Sequence, residues 1–386
     1  MRQAALVIAV FAAVCAGCVE RARRDPAVPT LQTPQAGAIY VACDNTLSDA
    51  AKINGAIAGS PAGAEIVICG QGLINQTIKL LGHRAYRGES RTGTVLKQAD
   101  GANLAALLAS DTFLENKDFT GAPVSVRDLT VDGNRTNNTQ SETAGIVLRS
   151  WLSVVENVVI RNMGGDGLRL TSVSANGAGI KTSQVNGRIS GNFITHSGRH
   201  GLFVEDPQNA VTDWTLTDNW IASSGIDGIH LDNAAGWMVA RNHVYGVPQN
   251  AIYAHRLFAT TISDNYLEGF GETAQAGTWH GIYATVQGGA ASTIANNRVF
   301  NFGLRKDPAK GLASTYRYIA ILANYKTGVV SVTGNAIRGA DTDRETALHY
   351  TAKQGARLAV TSTGNAIEDI ETKHFAGDNV TISSGH

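Results

Sequence analysis

Five short phrases in the middle of the chain put reactive side chains at matching positions. They read Gly167-Leu168-Arg169-Leu170, Gly201-Leu202-Phe203-Val204, Gly228-Ile229-His230-Leu231, Ala251-Ile252-Tyr253-Ala254 and Gly281-Ile282-Tyr283-Ala284. Each is a small residue followed by an alternating run, the signature of a short strand with one face on a core. If Leu202, Val204, Ile229, Leu231, Ile252 and Ala254 point inward, their alternates point out. Two outer columns result. One holds Arg169, Phe203, His230, Tyr253 and Tyr283; the other holds Thr171, Glu205, Asp232, His255 and Thr285, with Asp206 and Arg256 just beyond. On neighbouring strands Glu205, Asp232 and His255 come within roughly 5–10 Å of one another. Carboxylates that close push one pKa upward, and an imidazole beside them completes a set for general acid–base work. The same residues would equally make a hydrated acidic patch. Phe203, Tyr253 and Tyr283 in line form a strip on which flat sugar rings stack, unless an insertion loop covers it.

The elements that must hold these columns are marked by a second, interleaved phrase centred on asparagine. It runs Ser190-Gly191-Asn192-Phe193-Ile194, Thr217-Asp218-Asn219-Trp220-Ile221, Ala240-Arg241-Asn242-His243-Val244, Ser263-Asp264-Asn265-Tyr266-Leu267 and Ala295-Asn296-Asn297-Arg298-Val299. Shorter versions stand at Glu156-Asn157-Val158, Gly334-Asn335-Ala336 and Gly364-Asn365-Ala366, giving spacings of 35, 27, 23, 23, 32, 38 and 30 residues. Unequal repeats of this length, each holding two or three short strands, argue for stacked units that bury one continuous core. Stacked asparagines at the strand spacing of about 4.8 Å hydrogen-bond in a ladder. The expected fold is all-β, a single-stranded right-handed parallel β-helix. Asp166, His200, Asp227, Asn250 and His280 each precede a glycine-led strand and read as corner residues that bond local backbone. Arg241 and His243, beside a ladder asparagine, read as surface decoration. Insertions at Thr171–Arg188, Gly269–Trp279 and Asn301–Tyr318 are expected to wall a binding face.

Forty-two glycines against eight prolines suit many tight corners joined by uninterrupted ladders. Lys+Arg and Asp+Glu are both 32, so bulk charge attracts neither nucleic acid nor an acidic membrane. Arg2 and the apolar run Ala4–Ala16 form a targeting segment too short to span a bilayer. Ala16-Gly17-Cys18 closes it and resembles a bacterial lipoprotein signal, although Cys15 stands where a branched aliphatic residue is usual. Residues 1–18 are therefore read as a leader, with Cys18 either lipidated or simply passed in secretion. The mature chain is expected outside the cytoplasm: periplasmic, held at the outer membrane by lipid, or secreted. Residues 19–37 read as a flexible tether, 38–100 as an N-terminal cap with the first coils, and 101–386 as the β-helix. Export favours a disulfide between Cys43 and Cys69, whose loop of about 26 residues constrains the unfolded chain by about 3 kcal/mol. Two buried free thiols are the alternative.

Within the cap, Ser48 is expected to start a helix whose apolar face is Leu47, Ala50, Ile53, Ala56 and Ile57, closed by Gly59 and Pro61. A lone helix at the head of a solenoid covers its open end. The order of strand, cap helix, Ala64-Glu65-Ile66-Val67-Ile68, Thr77-Ile78-Lys79-Leu80, Tyr86-Arg87-Gly88-Glu89 and Thr94-Val95-Leu96-Lys97 resembles the pectate lyase-like superfamily, over about residues 38–380. That resemblance implies architecture more than activity, since its members include lyases, hydrolases, epimerases and non-catalytic binders. The aspartate pair and Arg-Ile-Lys pattern of polygalacturonases is missing, as is the Asp-Pro-His run of mannuronan epimerases. No P-loop, HExxH, nucleophile elbow or cysteine metal cluster occurs either. The reading is an enzyme on an extracellular polysaccharide. As a lyase, His230 or His255 would take the proton beside a uronate carboxylate, which Arg169, Arg256 or a Ca²⁺ on Glu205, Asp206 and Asp232 would neutralise. As a hydrolase, Glu205 and Asp232 would divide the acid and base or nucleophile roles. A non-catalytic glycan-binding or surface-structural protein would need the aromatic strip alone.

Overall fold

The computed structural model describes residues 37–117, 123–139, 142–180, 182–301 and 314–384. The expected leader with Cys18, nearly all of the tether and most of the insertion at 301–318 lie outside the described residues. From residue 36 onward the chain is one unit, in which, among the described residues, 32 strands join a single sheet and pair in parallel with the coil before and the coil after. A regular coil contributes three strands. The first face stacks Arg188–Ser190, Thr215–Thr217, Met238–Ala240 and Thr261–Ser263. On the second lie Phe193–Thr195, Trp220–Ala222, His243–Val247 and Tyr266–Phe270. The third is built from Leu168–Thr171, Leu202–Glu205, Ile229–Leu231 and Ile252–Leu257. Two longer strands, Thr278–Ala295 and Thr315–Thr333, run through the third face and on into the first. Alternate residues fill the cylinder: Ile194, Leu202, Leu216, Ile229, Val244, Ile252 and Leu267 are all fully buried.

Between the first and second faces the chain makes the same turn in every coil, and the asparagines explain it. The backbone N–H and Nδ2 of Asn242 both donate to Oδ1 of Asn265, at 3.0 Å each. Its Nδ2 also donates to the Leu216 carbonyl at 2.9 Å. The unit repeats from Asn192 through Asn219, Asn242, Asn265, Asn297 and Asn335 to Asn365, with every member but the last fully buried. The residue before each ladder asparagine has positive φ: Gly191 at 65°, Asp218 at 61°, Arg241 at 55°, Asp264 at 58° and Asn296 at 57°. That left-handed step, which glycine, asparagine and aspartate tolerate best, turns the amide inward. Asn157 corrects the sequence reading. It is itself the left-handed residue (φ 55°), and Val158 holds the ladder position, donating its N–H to Asn192 Oδ1 at 2.9 Å.

A helix, α1 (Asp49–Gly59), closes the N-terminal end by packing Ala50, Ile53 and Ile57 onto the core. Asn54 on α1 imitates a strand partner, donating to the Thr77 carbonyl at 3.0 Å and accepting from Lys79 N–H at 2.9 Å. Ser48 makes no capping hydrogen bond, contrary to expectation. Asp49 does the work instead, accepting from the N–H groups of Thr46 and Leu73 and from Lys52. Burial alone would raise the pKa of Asp49, yet those donors hold it well below the usual carboxylate range. Leu47, assigned to the apolar face, is 59% exposed because it precedes the helix.

The Cys43–Cys69 disulfide is not formed, and both cysteines are free thiols. Strand register gives the reason. Cys43 pairs with Gly70 and Cys69 with Ala42, so the two sulfurs lie on opposite faces of the sheet. Cys43 turns to the core, where burial pushes its thiol up to about 11; Cys69 faces outward beside Glu89.

The ladder generates a stability test. Asn242→Ala leaves a backbone N–H and a carbonyl without partners inside the cylinder, an expected loss of about 1–3 kcal/mol. Asn157→Gly, at a left-handed position outside the ladder, should stay within about 0.5 kcal/mol of the native chain. Denaturant unfolding of the two variants measures both.

Candidate functional site

The third face carries the columns read from the sequence. In register, Arg169 pairs with Phe203, Phe203 with His230, His230 with Tyr253 and Tyr253 with Tyr283. Their rings touch in series: Phe203 to His230 at 5.3 Å, His230 to Tyr253 at 4.6 Å, and Tyr253 stacked on Tyr283 at 4.9 Å and 16°. All are half-buried, so one surface of the strip is open. The leading glycines are dictated by stacking. A Cβ on Gly201 would fall 2.3 Å from Ile221 and 2.8 Å from the Gly228 carbonyl.

The corner residues form a third column, and their role is larger than local backbone bonding. Asp166 accepts from the His200 N–H and, at 2.9 and 2.6 Å, from Nε and Nη2 of Arg169. Asp227 repeats the pattern one coil on from His200. Its Oδ1 accepts from the Asn250 N–H and Nδ2, and its Oδ2 lies 2.7 Å from His230 Nδ1 and 3.5 Å from His200 Nδ1. Asn250 in turn accepts from the His280 N–H and meets His280 Nδ1 at 2.8 Å. Asp166 and Asp227 thus each steer the guanidinium or ring three positions later while holding the backbone of the next coil, and Asn250 holds the next coil's backbone alone.

This arrangement splits the histidines electrostatically. Burial pushes His200 down to about 4 and His280 to about 3, and it lowers His255 as well. Burial also opposes charge on His230, but Asp227 on Nδ1 and Asp232 at 3.2 Å from Nε2 outweigh it and lift the ring to about 9. Burial raises Tyr253 to about 12 and also raises Tyr283, so both keep their hydroxyl protons.

The second column is less uniform than its sequence suggests. Glu205 accepts from Thr171 Oγ1 at 2.9 Å, and Asp232 is held by His230. His255 lies 4.6 Å from the Tyr253 ring and 6.1 Å from that of Tyr283, and its Nε2 is enclosed without a partner. Arg256 sits at a left-handed bulge (φ 59°) with Nε donating to Gln287 at 2.6 Å. The Ca²⁺ set does not fit. Asp206 is buried and spends both oxygens on the N–H groups of Ala210 and Val211 and on Asn233 Nδ2, so it is a loop-building residue.

Two residues of this face were missed. Arg317 continues the corner column beyond His280, and His349 continues the outer column beyond Ala320. No ion pair or hydrogen bond joins the Arg317 side chain to another described residue, and its charge bears on Tyr283, His280 and His349. Extending the corner spacing by one coil would have found it, but Tyr318, which stands where the leading glycine is expected before Ile319-Ala320, and the insertion after Asn301 hid the register. His243, read as decoration, belongs to a second aromatic row on the second face, between Trp220 (4.0 Å) and Tyr266 (4.4 Å).

Residues 150–337 match the family model described as the right handed beta helix region. No curated protein matches the sequence. Among solved structures, the chain is similar to the A-module of the mannuronan C-5 epimerase AlgE4 of Azotobacter vinelandii, at TM-score 0.51 and 16% identity over 89% of this chain and 96% of that one. It is also similar to the enzymatically active domain of tailspike protein 2 of bacteriophage CBA120 (TM-score 0.54, 12% identity, 85% of this chain and 48% of that one). The gp42 tailspike of Acinetobacter phage vb_AbaP_AS12 aligns at TM-score 0.51 and 9% identity, over 89% of this chain and 62% of that one. The chain spans about half to three fifths of the two tailspikes. Its fold is a right-handed parallel β-helix. At these identities the likeness concerns the path of the backbone.

Two neighbouring aspartates should separate structure from surface. Asp227→Asn disturbs a buried, fully engaged carboxylate and should lower stability by about 1–3 kcal/mol. Asp232 is partly open to solvent, and Asp232→Asn should leave the melting temperature close to native. Paired thermal melts check this difference.

Proposed function

We propose that the chain is an exported carbohydrate-active enzyme that cleaves a uronate-containing polysaccharide by β-elimination on its third face. The observation that carries the reading is His255, whose Nε2 has no hydrogen-bond partner among the described residues and which sits beside two protonated tyrosines. Of the two histidines suited to the base role, His230 is excluded because carboxylates occupy both of its nitrogens. Enclosure of Nε2 leaves Nδ1 of His255 as the ring atom that can receive a proton from the groove.

For the cation that elimination requires, Arg317 is better suited than the arginines picked from sequence. Arg169 is neutralised by Asp166, and Arg256 is drawn to Gln287. In the proposed step Arg317 pairs with the uronate carboxylate and makes the neighbouring carbon acid more acidic. His255 removes the proton at C5, the C–H electron pair becomes the C4–C5 double bond, and the C4–O4 bond breaks. A hydroxyl proton from Tyr253 or Tyr283 passes to the departing oxygen. Phe203 and the stacked tyrosines support the sugar rings on either side. Hydrolysis by Glu205 and Asp232 has less support, because Thr171 and His230 already engage those carboxylates.

The test is a panel of acidic polysaccharides, scored for unsaturated uronate absorbance and for new reducing ends. Absorbance with the native chain supports elimination. Reducing ends alone would replace it with the hydrolase, and binding with neither product would replace it with a non-catalytic glycan binder. On an active substrate, His255→Ala should lower turnover by about 10²–10⁴-fold without a change in melting temperature. Arg317→Ala should weaken substrate binding by about 1.5–3 kcal/mol, the scale of a hydrogen bond to a charged group.

A further inference from the structure

We propose that His200, Asp227 and His230 form a binding site for a divalent first-row transition ion. One ligand atom from each of these residues lies within 4.8 Å of the other two, a convergence of two imidazoles and one carboxylate. Asp227 Oδ2 is the centre of the group, 2.7 Å from His230 Nδ1 and 3.5 Å from His200 Nδ1. Around a tetrahedral ion with bonds of about 2.0–2.1 Å, ligand atoms stand roughly 3.3 Å apart. The two distances from Asp227 bracket that value, and the ring nitrogens of His200 and His230, within 4.8 Å of each other, would close up around the ion.

A second observation points to the same ligand. His200 is 5% exposed, and its Nδ1 is enclosed with no hydrogen-bond partner while facing the carboxylate. An orphaned nitrogen at that depth costs free energy that coordination would recover. Two of the three ligands are held from behind, as ligands of bound metals usually are. Asp232 lies at 3.2 Å from the far nitrogen of His230. Asn250 occupies the other oxygen of Asp227 through its N–H at 2.9 Å and its Nδ2 at 2.8 Å. The His200 backbone is fixed by Asp166.

The donor set selects the class of ion. Two imidazoles and one carboxylate suit zinc, iron, nickel or copper, whereas calcium and magnesium prefer all-oxygen sites. A metal here would replace the proton that Asp227 and His230 share, and its remaining positions would take water or an oxygen of a bound molecule. Phe203 and Tyr253 flank the cluster, so such a molecule would already lie on the aromatic strip.

The inference does not rest on elimination chemistry, and its test uses no polysaccharide. The untagged chain is stripped with chelator, then titrated with Zn²⁺ by calorimetry and with Co²⁺ by visible absorption. One saturable equivalent and a tetrahedral cobalt spectrum are expected. His200→Gln and His230→Gln should each abolish both signals, and Asp232→Asn should weaken binding about 10–100-fold. His243→Gln, on the second face, should leave binding unchanged. Circular dichroism confirms folding of each variant; His230 is partly exposed, so its variant remains informative if the one at buried His200 misfolds. Absence of a saturable site in the native chain would overturn the proposal, as would binding that survives in a folded His230→Gln.

Discussion

A buried amide that bonds to its own copy one coil away is the constraint on which this molecule depends. Each ladder asparagine uses its backbone N–H, its Nδ2 and its Oδ1 inside the cylinder, so a one-residue slip would strand all three. The cross-section is therefore locked at one corner in every coil from Asn192 to Asn365. With the register locked there, the other strands of the coil have no freedom to slide. Columns of side chains on the third face keep their spacing because asparagines on a different edge keep theirs.

The outer chemistry is arranged by a second polar column at another corner, which works through short range. Asp166 steers Arg169, and Asp227 steers His230, each three residues ahead on the same strand. One carboxylate can then have opposite effects on two rings. His230 meets Asp227 at 2.7 Å with Asp232 behind it, and gains a proton more easily. His200 meets the same oxygen at 3.5 Å from greater depth, where desolvation dominates and the ring stays neutral. Distance and depth, more than residue type, decide which histidine carries charge.

Much of this was legible in the sequence, because period-two alternation and a recurring asparagine report directly on backbone geometry. The outer column from Arg169 to Tyr283 stands in the register that the phrases imply. What failed did so for physical reasons. Asn157 and the ladder asparagines have the same type, yet a turn contains two positions that asparagine suits, one inward and one left-handed. Cysteine spacing says nothing about which face a sulfur takes, and a single-residue offset separates Cys43 from Cys69. Asp206 could not be told from an open carboxylate until the loop it caps was seen. Arg317 and His349 lie past an insertion, where the phrase used for alignment breaks down.

The direction of the asparagine bonds also bears on how the chain acquires its structure. Every member but the last donates its backbone N–H and one amide proton toward the next coil in sequence, so these donors find their acceptor only when the successor arrives, while the other amide proton reaches back to the preceding coil. Such directional bonding suits growth by accretion from a seed. α1 and the first strands supply a covered starting surface, and each later coil needs contacts with a neighbour only 23 to 38 residues away. The exposed tip of a partly folded molecule always presents unsatisfied N–H groups on its C-terminal side, which the next segment is built to quench. A chain delivered N-terminus first could therefore assemble at the pace of its delivery, without waiting for its last residue.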